Sequence, residues 1–79
     1  MTTPHAPVRQ TPVTVSYADV GVHFGCVGVV RRARDRRIIH RTSDAPRPYG
    51  FHWAAVCDAT DWALAHGYVS VTEDDQWAR

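Results

Sequence analysis

The apolar residues of this chain change their period twice. Val13-Thr-Val-Ser-Tyr17 alternates apolar with polar, the spacing of a half-buried strand. From Phe51 to His66 the spacing lengthens to three and four, as along one side of a helix, and at Tyr68-Val-Ser-Val-Thr72 it returns to two. Such a pattern requires a sheet and a helix that cover each other, because neither can bury its apolar side alone. In 79 residues there is room for one such pairing and none for a second domain.

The longest strand-like run is Val20 to Arg31, entered from a connection at Ala18-Asp19. One parity reads Val20, Val22, Phe24, Cys26, Gly28 and Val30 and is expected to face the core. Gly21, Gly25 and Gly28 predict a bend, a bulge or the close approach of another backbone. Arg32 to Arg36 is polar and reads as a hairpin connection, with Arg37 to Thr42 as the returning strand. Ser43-Asp-Ala-Pro-Arg-Pro-Tyr-Gly50 cannot continue a strand and leads into a helix over Phe51 to His66, which Gly67 terminates. On that helix Trp53, Val56, Cys57, Thr60 and Leu64 form the stripe expected to face the sheet, with Phe51, Ala55, Asp58, Trp62 and His66 toward solvent. The expected fold is therefore α+β in the order β-β-β-α-β: a small antiparallel sheet of three to four strands with one helix packed on it. It spans residues 13–72, between a flexible tail at 1–12 and an acidic tail at 73–79.

Nine basic against eight acidic residues leave a net charge of +1, which argues against both an acidic nucleic-acid mimic and a uniformly basic nucleic-acid coat. The charges are not evenly spread. Arg31, Arg32, Arg34, Arg36, Arg37, Arg41 and Arg47 are opposed in their window only by Asp35 and Asp44, a local net of +5; the last 22 residues set five carboxylates against Arg79, a net of −4. A basic hairpin can lie along a phosphate backbone, dock on an acidic protein surface, or simply be solvated while answering the acidic end of its own fold. The seven arginines are the expected partner-binding surface, with Trp62, on the outer helix face with Phe51 and His66, as the expected aromatic anchor.

Other chemistry finds little support. Gly21, Gly25 and Gly28 do not have the spacing of a dinucleotide fingerprint, and neither a nucleophile elbow nor a phosphate-binding loop is present, so no enzyme is expected. Cys26 and Cys57 fall in strand-like and helix-like segments and are expected to be buried free thiols. His23-x2-Cys26 and His52-x4-Cys57 are the closest approaches to metal-ligand spacing; neither has a supporting third motif, so no metal and no cofactor are expected. No leader-like or membrane-spanning apolar run occurs, which makes the cytoplasm of a bacterial host the expected location, away from membranes.

All nine basic residues are Arg, and the chain contains neither Lys nor Asn, the bias a GC-rich genome imposes. In its size, single α/β domain, lopsided charge and lack of a catalytic signature, the chain resembles the anti-CRISPR proteins of phages and mobile elements. The resemblance implies a non-enzymatic inhibitor that docks on a host CRISPR-Cas effector complex, a protein or ribonucleoprotein partner, and blocks its access to target DNA. On that reading Arg34, Arg36, Arg37 and Arg41 would steer the encounter. The alternative is a small DNA-binding regulator, excisionase-like or repressor-like, that lays the same hairpin directly on nucleic acid. A third reading is a homodimer in which the basic hairpin of one copy meets the acidic end of another.

Overall fold

A computed structural model describes residues 9–74; the expectations for 1–8 and 75–79 lie outside them. Two glycines decide where the first hairpin turns. Gly21 at φ 123° and Gly25 at φ 87° adopt backbone conformations that side chains disfavour, and the Phe24 N–H closes the turn on the Gly21 carbonyl at 3.0 Å. The first strand, β1 (Val13–Gly21), thus runs through the expected connection at Ala18-Asp19, and β2 (Gly25–Arg32) starts later than the alternation suggests. Val20, Val22 and Phe24 sit at the exposed tip instead of in the core. From Cys26 onward the expected residues Cys26, Gly28 and Val30 are buried, but so are Val27 and Val29 of the other parity, so β2 is covered on both faces there.

The second hairpin returns as β3 (Ile38–Arg41), and residues 42–50 then continue along the same edge of β2. Thr42 donates its N–H to the Gly28 carbonyl at 3.0 Å and accepts the Gly28 N–H on Oγ1 at 2.7 Å, while Arg47 and Cys26 exchange backbone bonds of 2.8 and 2.9 Å. This loop therefore completes the pairing of β2 despite its prolines, because the positions that bond to β2 are Thr42 and Arg47. Helix α1 (His52–Ala65) follows, and β4 (Val71–Glu73) closes the sheet in the order β3-β2-β1-β4.

The four strands and one helix come in the expected sequence, but the sheet is mixed and not wholly antiparallel. β1 pairs antiparallel with β2 and parallel with β4, Val13 lying opposite Val71. The direction follows from the helix. It starts beside the C-terminal end of β1, where His52 meets Asp19, and ends beside the N-terminal approach, where Arg9 bridges Tyr68. The chain leaving α1 must therefore run the same way as β1. The framework is also longer than residues 13–72: Arg9 bonds to the Gly67 carbonyl at 2.7 Å, Glu73 belongs to β4, and Asp74 is buried with its N–H on the Val15 carbonyl at 2.9 Å.

The helix is turned relative to the stripe of large residues. Val56, Ala59 and Ala63 are buried against Val13, Val15 and Val30, with Trp62 packed at the margin, and Ala55 is buried beside Gly28, whereas Trp53, Cys57 and Leu64 are exposed. Gly28 explains the choice. A Cβ at that position would stand 2.3 Å from the Ala55 carbonyl oxygen and 2.9 Å from the Ala59 Cβ, so the helix backbone lies directly on the strand and only small side chains fit between. Its C-terminus is satisfied as the sequence predicts: Gly67 is left-handed at φ 88°, its N–H bonds to the Leu64 carbonyl, and the Tyr68 N–H bonds to the Ala63 carbonyl, both at 3.1 Å.

Candidate functional site

The seven arginines of the 31–47 window do not form one surface. Arg31 lies opposite Thr14 and Arg41 opposite Val29, which places both on the sheet face away from the helix, because Gly28 and Val30 face toward it. Arg34 and Arg37 are exposed in the β2–β3 connection at the end of that face. Arg47 is at the other end of β2, opposite Cys26. An eight-residue strand spans roughly 25 Å, so Arg47 is remote from the hairpin that its sequence position suggests it joins.

Ion pairing divides the arginines further. Arg32 is held by Asp35 in a two-pronged contact within the connection, and the Arg37 N–H also bonds to Asp35 at 3.1 Å. The Arg32 guanidinium, helped by that N–H, holds the Asp35 carboxyl well below the usual carboxylate range. Arg36, at φ 61°, reaches across to Asp74 at 2.6 Å. Arg47 binds both oxygens of Asp58 at 2.6 Å, which lowers the Asp58 carboxyl through charged hydrogen bonds. Two of the basic residues thus answer carboxylates from the later part of the chain. Arg31, Arg34, Arg37 and Arg41 make no ion pair among the described residues. Arg31 is half-buried, with its Nε lacking an acceptor there.

Trp62 is neither a free anchor nor a neighbour of these arginines. It is half-buried between His40 and His66, with ring centroids at 4.1 and 4.0 Å, and Tyr68 flanks it at 6.2 Å. His66 is fixed in turn by donating Nδ1–H to the Trp62 carbonyl at 2.8 Å. His40 pairs with Val30 and so lies on the helix side, which puts the stack across the sheet from Arg31 and Arg41. Several exposed large apolar residues lie at the opposite end of β2, with Val22 and Phe24 at the first turn and Tyr49, Phe51 and Trp53 around the start of α1, while Ile38, Leu64 and Val69 are exposed elsewhere.

That end also contains a cluster that sequence spacing did not reveal. Asp19 and Cys26 are direct cross-strand partners, and His52, the first residue of α1, donates Nε2–H to Asp19 at 2.8 Å. The His52 ring is stacked on Tyr17 with centroids 3.7 Å apart and planes within 8°. One ligand atom each from Asp19, Cys26 and His52 lie within 4.8 Å of one another. The Cys26 thiol is buried and points at the Pro48 carbonyl at 3.6 Å; burial, and then the charge of Asp19, push it up from its ordinary value. The cluster matches neither His23-x2-Cys26 nor His52-x4-Cys57: His23 is on the exposed turn, and Cys57, contrary to the expectation of a buried thiol, is exposed. The adjacency of residues 19 and 26 was available only from the correct hairpin register.

The chain matches no protein-family model, and comparison with the curated proteins and with the solved structures finds no match. Among the described residues, no helix is long and apolar enough to cross a membrane.

Proposed function

We propose that this protein is a non-enzymatic binding inhibitor of the anti-CRISPR kind, which docks on a host CRISPR-Cas effector complex and occludes its target DNA. The observation that carries this reading is the set of four arginines, Arg31, Arg34, Arg37 and Arg41, on one hairpin and the adjoining sheet face without carboxylate partners among the described residues. The exposed charge of Arg34, Arg37 and Arg41 raises association rates and selects an acidic partner, and it costs the fold little because it is not used to hold the fold together. Arg32, Arg36 and Arg47 are structural by contrast, since each already satisfies a carboxylate of its own chain.

The test is the paired reversal Arg34→Glu with Arg37→Glu, assayed for inhibition of target-DNA binding by purified effector complexes. Inhibition by the unaltered protein, weakened at least roughly tenfold in the variant, supports the reading. Equal inhibition by both proteins removes the arginine face from it.

The DNA-binding alternative rests on the same four arginines and makes a different demand. Direct contact of four phosphates gives an affinity for random duplex that falls with a log–log salt slope of roughly −3 to −4. A gel shift at low salt with that dependence, lost in the paired reversal, favours the regulator; no shift at low salt rejects it.

A further inference from the structure

We propose that Asp19, Cys26 and His52 form a binding site for a zinc-class divalent cation at the end of the sheet remote from the arginine hairpin. The three side chains come from β1, β2 and the first turn of α1, and one donor atom from each lies within 4.8 Å of the others. Carboxylate oxygen, thiolate sulfur and imidazole nitrogen together suit a borderline cation; magnesium or calcium would call for oxygen alone.

The geometry needs only small adjustment. Tetrahedral zinc, with bonds of about 2.0–2.3 Å, separates its ligand atoms by roughly 3.3–3.7 Å. The present 2.8 Å contact between His52 Nε2 and Asp19 must therefore open by about half an ångström as the cation enters between them. The sulfur, which lies up to 4.8 Å from the other donor atoms, must approach by up to about 1.3 Å. The surroundings favour that movement over wholesale rearrangement. Asp19 and Cys26 are tied by the strand register, and the Tyr17 ring fixes the plane of the imidazole. Access follows from burial: Asp19 is 42% and His52 28% exposed, whereas Cys26 lies at the floor with none. A cation would meet the carboxylate and imidazole first and the sulfur last. Three protein ligands leave the fourth position for water.

The charges and protons balance. On binding, the Cys26 thiol releases one proton to solvent; His52, whose Nε2–H faces Asp19 in the absence of a cation, carries its single proton on Nδ1 instead and ligates through Nε2; and Asp19 ligates as the carboxylate. Two negative ligands then neutralise the dication, which offsets its unfavourable placement near the positive end of the helix.

The site is tested by titrating the full chain, reduced and at neutral pH, with cobalt(II) and then with zinc. The expected result is one equivalent of tetrahedral cobalt with a thiolate-to-metal charge-transfer band, bleached by zinc. Cys26→Ser should abolish the band, Asp19→Asn and His52→Ala should weaken binding by roughly a hundredfold, and Cys57→Ser should change nothing. Since Cys26→Ser lies in the core, melting supplies a second measurement: zinc should raise the Tm of the unaltered protein and leave that of His52→Ala unmoved. A weak octahedral spectrum, or a band that survives Cys26→Ser and disappears in Cys57→Ser, overturns the proposal. Neither measurement involves a partner, so its failure is independent of the arginine face.

Discussion

Two arginines of the same hairpin illustrate how differently equal charges are used. Arg36 holds a buried carboxylate, and its removal leaves Asp74 desolvated with one partner fewer; Arg36→Ala is expected to cost about 1–3 kcal/mol. Arg34 is exposed and makes no ion pair among the described residues, so Arg34→Ala should stay within about 0.5 kcal/mol. Urea unfolding of the two variants side by side checks the contrast, and equal losses would refute it. The carboxylates supply a pH dependence whose direction is fixed. Asp35 and Asp58 both ionise more readily in the folded chain than their ordinary value of 3.8, because charged hydrogen bonds from Arg32 and Arg47 favour the anion. Groups lowered on folding contribute stability above the ordinary value and lose it as pH falls through the folded one. The unfolding midpoint should therefore decline below about pH 4, and Asp58→Asn should flatten part of that decline. The stabilisation from each is modest, since both pairs are open to solvent.

The placement of α1 depends on a strand residue with no side chain. Gly28→Ala drives a methyl into the Ala55 carbonyl and the Ala59 Cβ, so it should cost about 1–3 kcal/mol or more through overpacking. Leu64→Ser, on the exposed side of the helix, should be nearly neutral, whereas Ala59→Leu should destabilise severely. Thermal melts of the three variants decide whether the alanine side or the large-residue side faces the sheet. The sequence carries the alternation of β1, the polar hairpin, the helix and its glycine stop, because each depends on neighbours within a few residues. It conceals the helix rotation. A reading by size takes Trp53, Cys57 and Leu64 as the core stripe, but the glycine on β2 brings the helix backbone so close that Ala55, Ala59 and Ala63 win the interior. The arginine cluster is legible as a run of charge, yet its division into paired and unpaired members needs the carboxylates of residues 58 and 74, which come from other elements. Asp19, Cys26 and His52 are hidden for a similar reason, with intervals of 7 and 26 residues that fit no local ligand pattern.

At the scale of the molecule, the opposed charges of the hairpin and the later chain are partly internal matches, through Arg36–Asp74 and Arg47–Asp58. Less charge is therefore left for pairing between copies than the run of arginines suggests, and light scattering at low salt should show a monomer; a salt-sensitive dimer would contradict this accounting. The parallel junction of β1 with β4 has a consequence for how the protein is made. β2 reaches β1 as soon as the first hairpin forms, but the other flank of β1 waits for Val71–Glu73, more than fifty residues later. On the ribosome, β1 is a half-clothed strand for most of the synthesis, with bare backbone groups that a neighbouring nascent chain could adopt. A message truncated just before Val71 would keep it in that state permanently, so the codons for Val71–Glu73 govern whether the product stays dispersed.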